Sequence, residues 1–297
     1  MLGPLPCGSS FPADVSEPKH YPVTLPLAPW LFDHHFNGQA ILPAVEIMQL
    51  LARAAVQLAP STDVLHMTDA SFNRLLALAP GQKQLELTIA ICEEDSGVRA
   101  QLFSRQQFKT MARMVEHGEV FFGGRSSAGA NWIVRETHCT AQEGLAIGAE
   151  RVYRELVPFG PAFRTLSGKV TLQGARAQGT LKAPGFAHET NPLGSPFPMD
   201  GAMHAACVHG QWTGDFIPFP VGFAARIVHR PTEPGEQYQT CAYLLTQSPQ
   251  ELVYNLEIRD AEQRLRESIH KLRMRDVTAG RLKPPGWIKT SSGTQGR

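Results

Sequence analysis

The clearest helical pattern in the chain lies between Ala44 and Ala59. In the segment AVEIMQLLARAAVQLA, apolar residues recur at spacings of three and four, as expected for a helix with one buried face. Pro43 precedes the segment and Pro60 follows it, and proline is typical of both helix ends. The predicted buried face consists of Val45, Met48, Leu51, Ala52, Ala55 and Val56.

The stretch after this helix has the pattern of β-strands. Segments rich in alternating apolar residues are separated by the turn-like sequences APGQ and EEDSG. The predicted strands span residues 63–78, 83–95, 98–105 and 108–122. One helix followed by a run of antiparallel strands predicts a sheet that packs against the helix.

The second half of the chain repeats this plan. A short helix is predicted over 149–157, and a second principal helix is predicted over 199–212, in the segment MDGAMHAACVHGQW. The predicted strands span 164–173, 175–183, 219–230, 236–247, 251–260 and 265–277. Two halves that each contain one principal helix and several strands indicate a diverged internal duplication in an α+β protein.

The length of 297 residues suits two lobes rather than one core. The glycine- and serine-rich segment GGRSSAGAN marks a break between them. We expect an N-terminal lobe over 19–125, a linker over 126–146 and a C-terminal lobe over 147–280. Residues 1–18 and the tail 281–297 flank these lobes, and we expect the N-terminal segment and the end of the tail from Lys289 to be loosely ordered.

Composition narrows the classes of function. Hydrophobic residues make up 42% of the chain and charged residues 19%, which favours a folded protein, and the net charge of +1 gives no basis for binding nucleic acid. No apolar stretch approaches the ~20 residues that span a membrane. The cysteines are odd in number and lack CxxC spacing, which predicts reduced thiols in the cytoplasm; they are Cys7, Cys92, Cys139, Cys207 and Cys241.

Two polar clusters lie at the starts of the two principal helices. The second contains Asp200 and His204, which are four residues apart and would share one helix face. The first cluster consists of Asp33, His34, His35, Asn37 and Gly38. Taken separately, Asp200 fits a helix N-cap and the two histidines fit a solvated loop, so neither cluster alone indicates catalysis.

Other kinds of site have weaker support. His204 and His209 are five apart and would face different directions on a helix, so we expect no metal site. The chain lacks a GxSxG nucleophile elbow and the glycine-rich GxGxxG and GxxxxGK[ST] loops. Cys207, in the apolar sequence AACV, fits a buried core residue better than a nucleophile.

Four sequence elements, two of which contain the polar clusters, occur together in this chain. HHFNGQAILP fits the pattern HxxxGxxxxP, and its setting resembles the first signature of polyketide-synthase-type dehydratases. FGPAF resembles the GPxF element of that family, DGAMHAA resembles its DxxxQ/H element, and IPFPVGFAARIVHR is similar to its strand after the second helix. The elements occur in the family order and cover roughly residues 20 to 276.

This resemblance implies a double hot dog fold, in which two tandem lobes each wrap an antiparallel sheet around a central helix. It implies a lyase, a 3-hydroxyacyl-[acyl carrier protein] dehydratase of polyketide or fatty-acid-type biosynthesis, also similar to the dehydratases of polyunsaturated fatty-acid synthases. The partners implied are acyl carrier protein and other synthase domains, with a homodimer as an option. The substrate would be carried on phosphopantetheine, with no cofactor held by the chain itself.

Three alternatives stay open at this stage. An enoyl isomerase or a product-template-like cyclase could use the same residues on the same fold. A non-catalytic acyl-binding or scaffolding domain of a synthase belongs to another class, although such a domain has no physical need for both His34 and Asp200. Turnover of a 3-hydroxyacyl thioester separates these possibilities.

The resemblance assigns roles to individual residues. Neutral His34 would remove the α-proton, and Asp200, kept protonated by apolar surroundings, would donate a proton to the leaving hydroxyl. His204 would orient Asp200 or bind the hydroxyl. The N–H of Ala44, at the start of the first principal helix, would stabilise the charge on the thioester oxygen.

Five further residues are expected to position the substrate. Gly38 would let the loop backbone pass close to the acyl chain, and Pro43 would occupy the first helical turn. The remaining three are Phe159, Gly160 and Pro161. The family often has tyrosine where Phe159 stands, and the sequence PFPV lacks the usual aromatic ending of its element, so both departures concern the shape of the substrate.

Overall fold

The computed structural model describes residues 17–108, 111–123, 144–185 and 191–290. The elements of the first half are β1 Lys19–Pro26, β2 His35–Phe36, β3 Gln39–Ala40, α1 Ala44–Leu58, β4 His66–Ser71, β5 Gln84–Glu94, β6 Gly97–Phe108 and β7 Met111–Gly123. Those of the second half are β8 Leu145–Gly148, α2 Ala149–Glu155, β9 Leu166–Gln173, β10 Arg176–Lys182, α3 Pro196–Thr213, β11 Phe219–Val228, β12 Gln237–Gln247, β13 Glu251–Arg259, β14 Leu265–Arg275 and α4 Gly286–Thr290.

Among these residues, twelve strands form one antiparallel sheet in the order β1-β5-β6-β7-β4-β11-β14-β13-β12-β10-β9-β8. The first five strands come from the first half of the chain and the other seven from the second half. The halves join where β4 pairs with β11, with Phe223 opposite Ala70 and Ala225 opposite Thr68. This arrangement, with one principal helix in each half, is the double hot dog that the family resemblance implies.

Each half of the sheet curves around one principal helix. Helix α1 packs on β5, β6 and β7, whereas α3 packs on β9, β10, β12 and β13, and the two helices contact each other. A buried ion pair lies close to the junction of the two halves. The guanidinium of Arg226 on β11 contacts Glu267 on β14 at 2.6 Å and the sulfur of Met48 on α1 at 3.4 Å.

The prediction of helix α1 is confirmed to within one residue at its C-terminal end. One residue of its predicted buried face is wrong, because Val56 is 42% exposed in the last turn, whereas Ile47 is buried. Pro43 is the N-cap with extended backbone, at φ −63° and ψ 145°, and does not lie in the first turn as predicted. Its carbonyl accepts hydrogen bonds from the N–H groups of Glu46 and Ile47.

Helix α3 begins three residues earlier than the sequence pattern predicts. Ser195 is its N-cap, and Pro196 and Pro198 lie in the first turn, where the backbone N–H has no helical partner to lose. Asp200 therefore lies beyond the first turn, and its interpretation as an N-cap is wrong.

Several predicted strands have different bounds. Strand β4 ends at Ser71, and the following segment instead supports the loop that carries His34. Leu42 N–H donates to Leu76 O, and Leu78 N–H donates to Ala40 O. Strands β1 and β8, at the two edges of the sheet, are not among the predicted strands.

The proposed domain boundaries remain sequence-based. Residues 1–16, the region 124–143 that holds most of the predicted linker, and residues 291–297 lie outside the described part of the chain. Strand β8 starts at Leu145, inside the predicted linker. Helix α4 continues into the tail predicted to be loosely ordered, and it places Ile288 fully within the core.

Candidate active site

A cavity of about 470 Å³ lies between the two lobes, and both principal helices line it. The first half of the chain contributes His34, His35 and Ala44, and the second half contributes Phe159, Asp200 and His204. The two clusters of the sequence therefore meet in one site, although 166 positions separate His34 from Asp200.

His34 is held by a short hairpin whose turn needs its glycine. Strands β2 and β3 pair directly, and the two residues between them, Asn37 and Gly38, have φ values of 50° and 78°. Positive φ at both positions is the signature of a type I′ turn, for which Asn-Gly is the favoured sequence. A Cβ on Gly38 would meet no protein atom within 4 Å, so the positive φ of the turn accounts for the glycine, and clearance for a substrate stays a prediction.

Two hydrogen bonds to Ile41 fix the imidazole of His34. The N–H of Ile41 donates to the carbonyl of His34 at 3.0 Å, and Nδ1 of His34 lies 3.2 Å from the carbonyl oxygen of Ile41. Because a carbonyl can only accept, Nδ1 carries the proton in this contact. Nε2 then has a free lone pair, which is the form that a general base requires.

The surroundings of His34 keep it neutral. Its ring packs against Phe159 and Phe163, with centroid separations of 4.3 and 5.0 Å. Burial lowers the pKa of His34 to about 4, against an opposing contribution from the Asp200 carboxylate. His34 is therefore uncharged at neutral pH, as the sequence predicts.

Asp200 lies between two imidazoles. Its Oδ1 is 3.8 Å from Nε2 of His34, and its Oδ2 is 2.8 Å from Nε2 of His204, one helical turn along α3. Burial raises the pKa of Asp200, but His204 and His34 lower it further than burial raises it, so the pKa lies below its ordinary value. The prediction that apolar surroundings keep Asp200 protonated is therefore wrong for the free protein.

Tyr153 supports His204 from the other side, and the sequence gives no signal of this contact. The hydroxyl oxygen of Tyr153 accepts the N–H of Leu166 at 2.7 Å and lies 3.2 Å from Nδ1 of His204. Burial raises the pKa of Tyr153, so the hydroxyl keeps its proton. A hydroxyl can donate or accept, and Nδ1 of His204 therefore has a partner whether or not it is protonated.

The other residues predicted to position the substrate fall into two groups. Ala44 and Phe159 line the cavity, and the ring of Phe159 also packs against His204 at 4.9 Å. The remaining predicted residues are not among the described residues that line it; these are Gly38, Pro43, Gly160 and Pro161. Their effect on a substrate would be indirect.

Another buried histidine, His117, supports the cavity wall. His117 on β7 contacts the hydroxyl of Ser104 at 2.7 Å through Nε2, and its Nδ1 lies 3.2 Å from the carbonyl oxygen of Arg74. Arg74 and its neighbour Leu75 are exposed and line the cavity. The contact therefore fixes a segment that presents a cation at the cavity wall.

Within the described ranges, no group of three His, Cys, Asp or Glu side chains is arranged to hold a metal ion. In the same residues, no helix is both long and apolar enough to cross a membrane. Cys207 and Cys241 have free thiols, and burial raises the pKa of Cys207 to about 12, which favours the protonated thiol.

Comparison with known proteins identifies the family of the chain. The family model described as polyketide synthase dehydratase domain matches residues 20–105, and that described as polyketide synthase dehydratase N-terminal domain matches residues 135–284. The second match alone covers half of the chain. No curated protein matches.

Solved structures of dehydratase domains share the fold at low sequence identity. The dehydratase domain of a mycocerosic acid synthase-like polyketide synthase is 14% identical, with 90% of this chain and 95% of that one covered and a TM-score of 0.68. The dehydratase domain of RzxB from Pseudomonas fluorescens is 14% identical, with 86% and 94% covered and a TM-score of 0.68. An inactive mutant of the CurJ dehydratase in complex with a compound is 17% identical, with 89% and 93% covered and a TM-score of 0.64.

The fold and the paired histidine and aspartate define a dehydratase of the double hot dog class. The chain belongs to the polyketide synthase dehydratase domain family.

Proposed function

We propose that this dehydratase removes water from a β-hydroxyacyl thioester carried on the phosphopantetheine arm of an acyl carrier protein. The observation that supports this most is the contact between neutral His34 and buried Asp200, 3.8 Å apart in an apolar cavity. Elimination of water needs a base for the α-proton and an acid for the hydroxyl within reach of one substrate. No metal or organic cofactor is needed for this chemistry.

Three side chains account for every proton that moves in the proposed reaction. Nε2 of His34 removes the α-proton and the bond between the β-carbon and oxygen breaks. The Asp200–His204 pair, which in this proposal starts with one proton more than a carboxylate and a neutral imidazole, gives that proton to the departing hydroxide, which leaves as water. His34 is then charged and the pair has lost a proton. The proton that His34 took from the substrate then moves to Asp200 across the 3.8 Å separation, and this transfer restores the starting state of all three side chains.

In this proposal, the start of α1 stabilises the enolate-like charge on the thioester oxygen. Ala44 is the first residue of α1 and lines the cavity. The first N–H groups of a helix have no partner within it, and the helix dipole adds positive potential there. Fixed donors of this kind stabilise charge that develops in the transition state.

Turnover of defined substrates tests the proposal. We expect 3-hydroxyacyl groups on an acyl carrier protein to be converted to enoyl groups, with loss of one water measured by mass spectrometry across a range of chain lengths. Migration of an existing double bond without loss of water would instead indicate an isomerase, and ring closure would indicate a cyclase. Acyl binding without any conversion would contradict the enzyme assignment.

Arg74 is expected to assist carrier-bound substrates specifically. Its exposed guanidinium at the cavity wall can attract the phosphate of a phosphopantetheine arm. In the Arg74→Ala variant, we expect KM for carrier-bound substrate to rise by about 10-fold, which corresponds to roughly 1.4 kcal/mol, with kcat unchanged. KM for a short thioester without phosphate should stay unchanged, and an equal rise for both substrates would contradict this role.

We also propose that the domain acts beside other domains of a synthase in the cytoplasm. The match to the polyketide synthase dehydratase family supports the association with other synthase domains. The free thiols of Cys207 and Cys241 are compatible with a reducing compartment. A homodimer stays an expectation from the family resemblance.

A further inference from the structure

Asp33 connects the two lobes directly behind His34. Its Oδ2 accepts the N–H of Ala162 at 2.9 Å, and its backbone carbonyl accepts the N–H of Gly160 at 2.7 Å. The two acceptors of one residue in the first lobe therefore bind two amides of one turn in the second lobe. That turn is the short 3₁₀ helix Pro161–Phe163, which follows Gly160.

Gly160 shows how closely the two segments meet. A Cβ built on Gly160 would overlap the Cβ, Cγ and Oδ1 atoms of Asp33. The φ of Gly160 is −71°, which any residue can adopt, so the glycine is required by the space that Asp33 occupies. Gly160 is thus the complement of Asp33 in this contact and not a wall of the cavity.

The same turn and the residue before it carry the rings that enclose His34. Phe159 immediately precedes Gly160, Phe163 is the last residue of the 3₁₀ helix, and both rings pack against the imidazole of His34. Asp33 is the residue immediately before His34. A shift of the turn relative to Asp33 would therefore move the aromatic enclosure and the imidazole relative to each other.

We propose that Asp33 is a positioning residue, which holds His34 at its working distance from Asp200 by binding the Gly160–Phe163 turn of the opposite lobe. This role rests on the proposed function of His34 as the base. Asp33 itself does not line the cavity, and its side-chain acceptor is directed to a backbone amide of the other lobe. The function of the contact requires a hydrogen-bond acceptor, which asparagine also supplies.

Three variants and one control test this role. Asp33→Ala removes the side-chain acceptor and leaves the backbone carbonyl, whereas Asp33→Asn keeps a side-chain oxygen acceptor. Gly160→Ala disturbs the same contact from the opposite side. Asp95→Ala, in the exposed turn between β5 and β6, is the matched control for loss of an aspartate from the first lobe. Thermal unfolding of each variant identifies any that fails to fold.

We expect Asp33→Ala to lower kcat on the order of 10²-fold with little change in KM, since small misplacement of a reacting group has this effect. Asp33→Asn should stay within about threefold of the wild type, because a neutral acceptor retains a hydrogen bond. Gly160→Ala should resemble Asp33→Ala, and the double variant should be no worse than the poorer single variant, because both changes break one contact.

The pKa of His34 gives a readout that does not depend on turnover. In the wild type, burial lowers this pKa to about 4, Asp200 opposes that shift, and His204 and His35 add to it. A loosened enclosure returns water to His34, so its pKa should rise towards the ordinary value in Asp33→Ala and stay unchanged in Asp33→Asn. The reaction needs neutral His34, so its acid limb should move to higher pH in Asp33→Ala only.

NMR titration of the His34 imidazole in the free protein measures this pKa directly. If the wild type turned over no hydroxyacyl thioester but the pKa rose in Asp33→Ala, the positioning role would stand and the proposed function would fail. A wild-type kcat and an unchanged His34 pKa in folded Asp33→Ala would overturn the positioning role. Loss of activity in Asp33→Asn equal to that in Asp33→Ala would also overturn it.

Discussion

Replacement of His34 by alanine is expected to lower kcat by about 10²- to 10⁴-fold, the usual contribution of a general base. The variant removes the Nε2 atom that lies 3.8 Å from Oδ1 of Asp200, and no other imidazole among the described residues of the first lobe lies within 4 Å of that carboxylate. KM should change little, because binding of the acyl chain relies on the apolar wall. Steady-state kinetics with a carrier-bound 3-hydroxyacyl substrate, together with thermal unfolding, measures both effects.

His35 provides the matched control for this experiment. It is adjacent in sequence, lies on β2 and also lines the cavity, but among the described residues the imidazoles within 4 Å of the Asp200 carboxylate are those of His34 and His204. We expect His35→Ala to keep kcat within about threefold of the wild type, as for a side chain outside the proton transfers. Near-normal turnover in folded His34→Ala would contradict the assignment of the base.

Asp200→Asn is expected to lower kcat by a similar factor for a different reason. The amide has almost the same shape but cannot pass a proton to the departing hydroxide. The substitution also removes the carboxylate charge, whose Oδ2 atom lies 2.8 Å from Nε2 of His204. Because Asp200 raises the pKa of His34, the pKa of His34 in this variant should fall further, which NMR titration can detect without substrate.

Asp215→Asn is the control for the aspartate. This residue follows α3 and its side chain is 95% exposed, so the variant should retain wild-type kcat. The double variant His34→Ala/Asp200→Asn should be little worse than either single variant, because the two groups act on one elimination. Strictly multiplicative losses would show that the two residues act in separate steps.

The fold was predictable where the apolar period was long and regular. The spacing of apolar residues between Ala44 and Leu58 follows from burial of one helix face, and α1 has those bounds. Helix α3 was harder to delimit, because it is buried almost throughout and therefore lacks a polar face. Its first turn contains Pro196 and Pro198, which resemble loop residues in a sequence.

In the candidate site, only the residues that belong to a sequence motif were predictable. The patterns around His34 and Asp200 marked both residues, and the fold brings them together. The ionised state of Asp200 depends on contacts with two imidazoles, one of which is distant in sequence. A local sequence pattern carries no information about the combined effect of these contacts on the pKa.

Contacts between residues that are distant in sequence could not be predicted from the sequence either. Tyr153 reaches His204 across 51 positions, and Asp33 reaches Ala162 across 129. In both cases the partner is chosen by how the lobes pack, whereas sequence periodicity describes only neighbours within one element.

The junction between β4 and β11 has a consequence for how the site depends on concentration. The two reacting side chains come from different lobes, and ladder hydrogen bonds between Phe223 and Ala70 and their neighbours join those lobes into one sheet. Two separate lobes would assemble such a site only by association, with an occupancy set by mass action. Here the covalent chain supplies each lobe with its partner, so the contact between His34 and Asp200 is independent of dilution.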